Sequence, residues 1–405
     1  MKNTSNLSGL GRALLAFVIC GTFASLAHGA IPVGNSNVQI GGFLSQGYIY
    51  SDGNNYPFKD DGGTVDFREM GFNASTTLGA HLRIGGQLFA QRLGNYGNDK
   101  VKLDWANADY NFRQEFGVRV GRIKYPKGLY GEALDLDVIR PFVFLPMSVY
   151  NPILRDFSAS FDGAMLYGTL TLGKQGGSLD YKIFYGDIQM NTEQGVADFF
   201  NNAHLYAGTG VQRLGLDHVS GVAFDWSTPV SGLKIHASYS QLKDTFGNGQ
   251  FAAAPVLPIS VMLPKLGYTA VGAEYSRSNW TFAGEYFVQE GDTLVTAAPV
   301  LNSAGKYGTN AWYVSAARRL NDKWEVGGYY SFSEDRHASA GATKDSKQLG
   351  DWALSVRYDV SEHVTIKAEG HAVEGNYNMF NTAATPNPTL KHSTSYFAVK
   401  TTLSF

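Results

Sequence analysis

The sequence predicts an all-β protein: a transmembrane antiparallel β-barrel of about 16 strands, with short periplasmic turns and long extracellular loops. Three observations predict this fold. The composition, with 47 Gly, 23 Tyr and 25 Phe but only 13 Pro, favours strands joined by turns. Beyond the first thirty residues, no stretch approaches the roughly 20 apolar residues that a membrane helix needs. Polar and apolar residues alternate along the rest of the chain, in segments joined by alternately short and long connections.

Residues 1–30 predict a secretory signal peptide. Lys2 and Arg12 precede an apolar run that ends in small residues. Cleavage is expected between residues 27 and 30, after one of three alternative small residues. It would remove Cys20, the only cysteine of the chain, so we expect neither a disulfide nor a cysteine-bound metal in the mature protein.

Residues 31–405 are predicted to form a single outer-membrane β-barrel domain. In one segment, for example, Val364 and Ile366 fall on one face while Lys367 and Glu369 fall on the other. Sixteen such segments can be assigned, each about ten to fifteen residues long. They begin near Val38, Thr64, His81, Val101, Glu115, Asp162, Ser178, Leu216, Gly232, Tyr268, Trp280, Thr309, Lys323, Leu349, His363 and His392.

The connections between these segments alternate in length. Those on one rim are about one to four residues long, and most of those on the other run from about a dozen to nearly forty, which is typical of a transmembrane barrel. A barrel of eighteen strands is the alternative, because residues 190–215 and 244–267 could contain another hairpin. The long connections span residues 51–63, 125–161, 190–215, 244–267, 291–308, 336–348 and 376–391.

Strand length and tryptophan positions favour a barrel in a membrane over a soluble sandwich. Soluble strands are about 5–6 residues long, whereas a tilted membrane strand needs roughly 9–11. Because hydrocarbon offers no hydrogen-bond partner, a lipid-exposed sheet must close on itself. Sixteen strands make a cylinder too wide for side chains to fill, so we expect an aqueous lumen. Two aromatic girdles are predicted, with Trp226, Trp280 and Trp324 near the short turns and Trp105, Trp312 and Trp352 towards the long loops.

Several segments resemble Gram-negative bacterial outer-membrane porins. Residues 395–405 end in Phe405 behind an alternating apolar face, and they resemble the terminal strand by which outer-membrane barrels are recognised for assembly. Residues 226–239 and 279–286 resemble porin strands and the turns that join them. The phrase Val-Arg-Val-Gly-Arg-Ile-Lys-Tyr-Pro at residues 118–126 is similar to a branch of proteobacterial porins.

The resemblance implies a homotrimeric outer-membrane channel for passive diffusion of small hydrophilic solutes and ions. It also implies contact with outer-membrane lipid and lipopolysaccharide, and recognition of Phe405 by the barrel assembly machinery. In such channels the third long loop folds into the lumen; here that loop is residues 125–161, which is also the longest. Two features depart from the family: the apolar run from Pro141 to Pro146, and the absence of a Pro-Glu-Phe-Gly-Gly phrase. A substrate-specific porin for an anion, a sugar or a small organic acid is the alternative.

Charged residues of both signs are predicted to line the lumen. If the strands follow one another around the barrel in chain order, five of the basic residues lie side by side and form a basic wall. Acidic residues of the third long loop would then face this wall. Such an arrangement would create a transverse field that favours small hydrophilic solutes; the alternative is solvated charges in a wide pore. The predicted pore-lining residues are Arg83, Arg119, Lys182, Lys234, Arg319, Arg357, Lys367 and Lys400, of which Arg83, Arg119, Arg357, Lys367 and Lys400 form the basic wall. The predicted constriction residues are Glu132, Asp135, Asp137, Arg140, Arg155 and Asp156.

No catalytic, metal or cofactor site is predicted. The chain has no Gly-x-Ser-x-Gly, no phosphate-cradling loop and no His-Glu-x-x-His. His236 and Ser238 share a face, but no acid at a suitable spacing on that strand completes a triad. Nucleic acid is not expected as a partner, because the formal net charge is −2. A barrel with an adhesive or enzymatic role is the remaining alternative.

Overall fold

A computed structural model describes most of the chain beyond its first thirty residues, and it shows an antiparallel sheet closed into a barrel. The predicted signal peptide, its cleavage site and Cys20 lie outside the described residues. Within the described part of the chain, no helix is both long and apolar enough to cross a membrane. The described residues are 31–405 without 35, 174, 194, 202–204, 209, 254–255 and 380–389.

Strands dominate the described residues, and the helices are short and lie in the connections. The strands are β1 (Ile31–Pro32), β2 (Val38–Ser51), β3 (Phe67–Leu78), β4 (Leu82–Leu93), β5 (Lys102–Arg113), β6 (Phe116–Lys124), β7 (Ser160–Thr171), β8 (Ser178–Asp187), β9 (Arg213–Gly215), β10 (His218–Ser227), β11 (Leu233–Gln250), β12 (Pro258–Arg277), β13 (Trp280–Ala297), β14 (Leu301–Arg319), β15 (Trp324–Asp335), β16 (Gln348–Asp359), β17 (Val364–Gly375) and β18 (Ser393–Ser404). The α-helices are α1 (Arg155–Ser158), α2 (Gly195–Asn201) and α3 (Lys344–Lys347), and 3-10 helices cover Gly131–Ala133, Asp137–Ile139 and Pro152–Leu154.

Sixteen long strands close the barrel. Each pairs antiparallel with the next from β2 to β8 and from β10 to β18, and β8 pairs directly with β10. The barrel closes where β18 pairs with β2, with Lys400 opposite Gly47. The other two strands are additions, since β1 pairs with β2 and the short β9 pairs with β11. The predicted barrel of sixteen strands is therefore confirmed, and the alternative of eighteen is wrong.

The two faces of the sheet differ in polarity as the alternation predicts. On the outer face of β16, Trp352 is 65% exposed and Leu354 is 76% exposed, whereas Ser355 is buried on the inner face. On β17 and β18, Lys367 and Lys400 point inwards and are 1% and 2% exposed. A polar inner face and an apolar outer face suit a barrel that is surrounded by lipid.

The prediction of long loops is wrong for two segments, which are mostly strand. These segments, residues 244–267 and 291–308, fall mostly within β11 to β14, which are 18–20 residues long. In β12, the side chains of Leu263 and Leu266 are buried in one apolar cluster with Val196 of α2. In β11 and β12 the polar-inside pattern fails because protein, rather than water, lies against the inner face of these strands. The ends of β13 and β14 within residues 291–308, in contrast, are largely exposed or half-exposed on both faces, so no apolar face marks them as strand.

Candidate functional site

The connection between β6 and β7 runs through the interior of the barrel. We call residues 125–159 the lumen loop, which is two residues shorter than predicted because β7 begins at Ser160. The backbone N–H groups of Val143 and Phe144 donate to the carboxylate of Glu369 on β17, over 2.9 and 3.1 Å. The lumen loop therefore reaches from β6 to the part of the barrel formed by β16, β17 and β18.

A second carboxylate, on Glu285 of β13, holds the start of the lumen loop. It accepts hydrogen bonds from the backbone N–H of Leu129 at 3.0 Å and from the hydroxyl of Tyr150 at 2.6 Å. Gly128 has a φ of +73°, and any side chain at this position would collide with the Glu285 carboxylate. Glycine therefore lets the backbone approach the barrel closely enough to be held by one acid.

The unusual apolar run of the lumen loop packs against aromatic residues on the inner face. The ring of Phe144 stacks on that of Phe67 of β3, with centroids 5.3 Å apart, and Phe142 meets the edge of Tyr329 on β15 at 5.2 Å. Residues 141–146 thus bury apolar surface inside the barrel, which stabilises the position of the loop.

Asp137 of the lumen loop joins three basic residues. Its carboxylate lies 3.0 Å from the ammonium of Lys367, 3.2 Å from that of Lys400 and 3.7 Å from the guanidinium of Arg140. The hydroxyl of Thr402 also donates to it, over 2.8 Å. Burial raises the pKa of Asp137, but the two lysines and Arg140 outweigh this effect and hold the pKa well below its ordinary value.

A second ionic cluster lies near the base of the lumen loop. Asp135 contacts both Lys124 and Arg155. Asp104 of β5 contacts the same two cations, at 2.5 Å from Lys124 and 2.6 Å from Arg155. Burial raises the pKa of Asp135, yet the two cations hold it well below the ordinary range. Two acids and two bases therefore balance one another here.

The other predicted site residues are spread around the barrel. Arg119 is buried against Asp109 at 3.0 Å. Lys182 contacts Glu132 of the lumen loop and lies 3.2 Å from Asp225. Arg357 and Arg319 both contact Asp359, at 2.8 and 2.5 Å. Asp156 contacts Lys102 at 2.9 Å, and Arg83 donates a hydrogen bond to Ser75 over 3.1 Å. Lys234 is exposed beside a short turn.

Acidic residues of the lumen loop meet residues of the predicted basic wall at close range. Asp137 directly contacts Lys367 and Lys400, and Glu132 lies 3.9 Å from Arg119. A charge that leaves water is stabilised only when it is paired and hydrogen-bonded. The predicted transverse field stays a prediction, and its charges are arranged as ion pairs.

A chain of three hydrogen-bonding side chains was missed by the sequence analysis. The imidazole of His236 lies 3.0 Å from the hydroxyl of Ser238 and 2.8 Å from the carboxylate of Asp225. The acid comes from the neighbouring strand β10, where Asp225 is opposite His236, so only the strand register could have revealed it. His236 is buried, and Ser238 accepts a hydrogen bond from the backbone N–H of Gly128. This chain therefore ties the lumen loop to the barrel.

The lumen loop lines several cavities inside the barrel, and two of them share Lys127. One, of about 120 Å³, is lined mainly by aromatic and aliphatic side chains near the long-loop rim, including Tyr268 and Phe287. The other, of about 50 Å³, is lined by several basic residues, including Arg140 and Lys400. Lys127 lines both cavities. Burial lowers the pKa of Lys127 to about 8, with Glu285 opposing this shift, so the side chain is mostly charged at neutral pH.

The described residues include no group of three or more His, Cys, Asp or Glu side chains placed to hold a metal ion. The acids inside the barrel are used differently. Glu285 and Glu369 hold backbone N–H groups of the lumen loop, and Asp135 and Asp137 contact cations. The chemistry that this arrangement supports is electrostatic and steric control of the space inside the barrel.

Comparison with known proteins identifies the architecture. No protein-family model matches the sequence, and no curated protein matches it. Among solved structures, OmpF of Salmonella typhi in complex with daunomycin is 14% identical with a TM-score of 0.59, over 93% of this chain and 100% of that one. Vibrio cholerae OmpT is 13% identical with a TM-score of 0.57, over 92% of this chain and 99% of that one.

An anion-selective porin from Comamonas acidovorans is also similar. It is 14% identical with a TM-score of 0.54, over 91% of this chain and 99% of that one. At such identities the likeness concerns the fold, and it agrees with the resemblance predicted from the sequence. The chain has the fold of the bacterial outer-membrane porins.

Proposed function

We propose that this protein is an outer-membrane channel for passive diffusion of small hydrophilic solutes and ions. The observation that carries the proposal is a closed barrel with a charged interior that is narrowed by the lumen loop. Polar inner residues favour water and ions, while the loop limits the size of the solute. No catalytic step is part of this proposal.

We place the barrel in the outer membrane, in contact with lipid and lipopolysaccharide. The apolar outer face supports this location, and the proteins of similar fold are outer-membrane proteins. A homotrimer is the proposed assembly, in keeping with a Vibrio cholerae OmpT structure in a trimer form. Phe405 exchanges backbone hydrogen bonds of 3.0 and 2.9 Å with Gly42. It thus lies where the barrel closes, a position suited to recognition by the assembly machinery.

Replacing Leu354 by arginine tests whether the outer face meets lipid. We expect the free energy of unfolding in lipid vesicles to fall by about 2–4 kcal/mol, because a charge would enter hydrocarbon near the middle of β16. Glu362→Arg, at an exposed position beside a short turn, is the control and should change stability by less than about 0.5 kcal/mol. Denaturant titration of both variants measures the difference. Equal stabilities would contradict the proposed orientation.

Planar-bilayer recording of the purified full-length barrel tests the channel itself. In KCl we expect stepwise openings whose current is proportional to voltage. A bilayer that stays silent, although correctly folded protein has inserted, would contradict the proposal and favour an adhesive or enzymatic role.

A solute-selective channel is the second candidate. The observation that favours it is that the lumen loop lines small cavities inside the barrel, among them cavities of about 120 and 50 Å³. Reversal potentials in KCl gradients distinguish the two candidates, since a wide general pore discriminates weakly between the two ions.

A further inference from the structure

Lys127 has an unusual environment among the charged residues of the barrel interior. Its ammonium lies 4.7 Å from the ring centroids of both Tyr268 and Phe287. It is the one charged side chain among the described residues that line the larger cavity. A single positive charge in an aromatic cavity is suited to bind a solute that carries one negative charge.

The ammonium of Lys127 also lacks the partners that the other interior lysines have. Lys124, Lys182, Lys367 and Lys400 each contact at least two carboxylates or carbonyl oxygens. Among the described residues, no carboxylate lies within ion-pair distance of Lys127, and its ammonium donates no hydrogen bond. Three N–H donors are thus left for a ligand.

The smaller cavity offers a further N–H donor on the other side of Lys127. Besides Lys127, its described lining includes three basic residues, Arg140, Arg155 and Lys400. Arg155 and Lys400 are paired with carboxylates, so their charges are largely compensated. The Nε atom of Arg140, in contrast, is buried without a hydrogen-bond partner. A buried donor without an acceptor favours an anion over a cation in this direction.

The size and lining of the larger cavity define the rest of the ligand. Its volume of about 120 Å³ is comparable with that of an engineered apolar cavity of about 150 Å³ that binds benzene. Aromatic walls favour a flat apolar ring over a sugar, which would need several hydrogen-bonding partners. Aromatic and aliphatic side chains make up most of the lining, and polar ones such as Ser148, Asn151 and Thr245 also contribute to it. Two further polar side chains of the lining, Gln289 and Thr309, are already hydrogen-bonded to Tyr268 and Tyr377.

We propose that Lys127 and the aromatic cavity form a binding site for small aromatic monocarboxylates. The carboxylate would contact the Lys127 ammonium, and the ring would lie against Tyr268 and Phe287. This inference deepens the proposed function and rests on it, because the site matters for transport only if solutes pass through the barrel.

Benzoate binding to the detergent-solubilised full-length barrel, measured by calorimetry, tests the site. We expect Lys127→Met, which keeps most of the apolar stem, to weaken binding at least about tenfold, and Lys127→Arg to retain most of it. Lys306→Met, at an exposed position on β14, is the matched control and should bind as the parent does. Unchanged affinity in Lys127→Met, or no saturable binding by the parent, would overturn the proposal.

Two further probes separate the contributions of charge and ring. Acetate keeps the carboxylate and lacks the ring, whereas benzyl alcohol keeps the ring and lacks the charge. Both should bind at least about tenfold more weakly than benzoate if the ammonium and the aromatic cavity act together. If acetate binds as tightly as benzoate, the site is a simple anion site and the aromatic assignment fails.

Conductance in KCl, recorded with the same preparations, keeps the two proposals distinguishable. Ohmic steps without benzoate binding would leave the channel intact and refute the site. A silent bilayer combined with benzoate binding that Lys127→Met abolishes would refute the channel and retain the site. If both hold, benzoate should reduce KCl current in the parent and in Lys306→Met, with a half-blocking concentration at least about tenfold higher in Lys127→Met.

Discussion

Replacing Asp137 by alanine is expected to lower the free energy of unfolding by about 3–5 kcal/mol. Lys367 and Lys400 would remain in the protein interior without the acid that they share, and a buried charge without its partner carries a large desolvation cost. Part of the lumen loop should therefore detach from β17 and β18. Denaturant titration of the folded barrel measures the loss of stability.

Limited chymotrypsin digestion reports the detachment directly. Phe142 of the lumen loop is buried against Tyr329 of β15, so we expect cleavage after Phe142 in Asp137→Ala and protection in the parent. Asp156→Ala is the control, because Asp156 contacts the half-exposed Lys102 and its loss should cost less than about 1 kcal/mol. Equal stability and equal protection in the two variants would show that Asp137 does not hold the loop.

Acid should act on the same carboxylate. The pKa of Asp137 is lower in the folded protein than its ordinary value of 3.8, so its contribution to stability is fully present above that value. As the pH falls below 3.8, the unfolded chain takes up a proton first and this contribution is progressively lost. The difference in unfolding free energy between the parent and Asp137→Ala should therefore shrink at low pH. A constant difference would contradict this ionic role.

Removing the lumen loop is expected to raise single-channel conductance in KCl several-fold. Tyr125 and Ala159 are already hydrogen-bonded at the start of the loop, so replacing residues 126–158 by Asn-Gly would close a two-residue hairpin there. The ionic and aromatic contacts that fill the interior would disappear, and water would occupy the space. Planar-bilayer recording measures the change.

The matching control shortens a different connection on the long-loop rim. Removing residues 338–342, which lie between β15 and α3 and are mostly exposed, should leave conductance near the parent value. If both deletions change conductance equally, or if neither does, the lumen loop is not the narrowest part of the path.

The polarity of individual strands was predictable, whereas the contacts that shape the interior were not. Alternation along the chain gave the inward direction of Lys367 and Lys400, because neighbouring residues of a strand point to opposite faces. It could not show that Asp137, more than two hundred residues earlier, would lie between them. In the same way, the partner of His236 was sought along its own strand, but Asp225 comes from the next one.

The predicted loops failed where the surroundings of the sheet change. Alternation of polar and apolar residues predicts a strand when one face of the sheet meets water and the other meets lipid. In β11 this alternation ends near Lys243. The strand itself continues to Gln250, because Gly247 and Asn248 still pair with residues of β12. There the inner face contacts apolar protein, so composition no longer separates the two faces.

The sequence by itself determined the closed barrel, a strand number of sixteen or eighteen, and the side of the sheet on which most residues lie. These properties follow from a period of two and from the need of lipid-exposed backbone to satisfy all its hydrogen bonds. Only the tertiary structure decided that Asp137 and Glu369 hold the lumen loop and that Lys127 is left without an acid. Those contacts join residues that are far apart in the chain, and they depend on where a loop crosses the barrel, which no local pattern encodes.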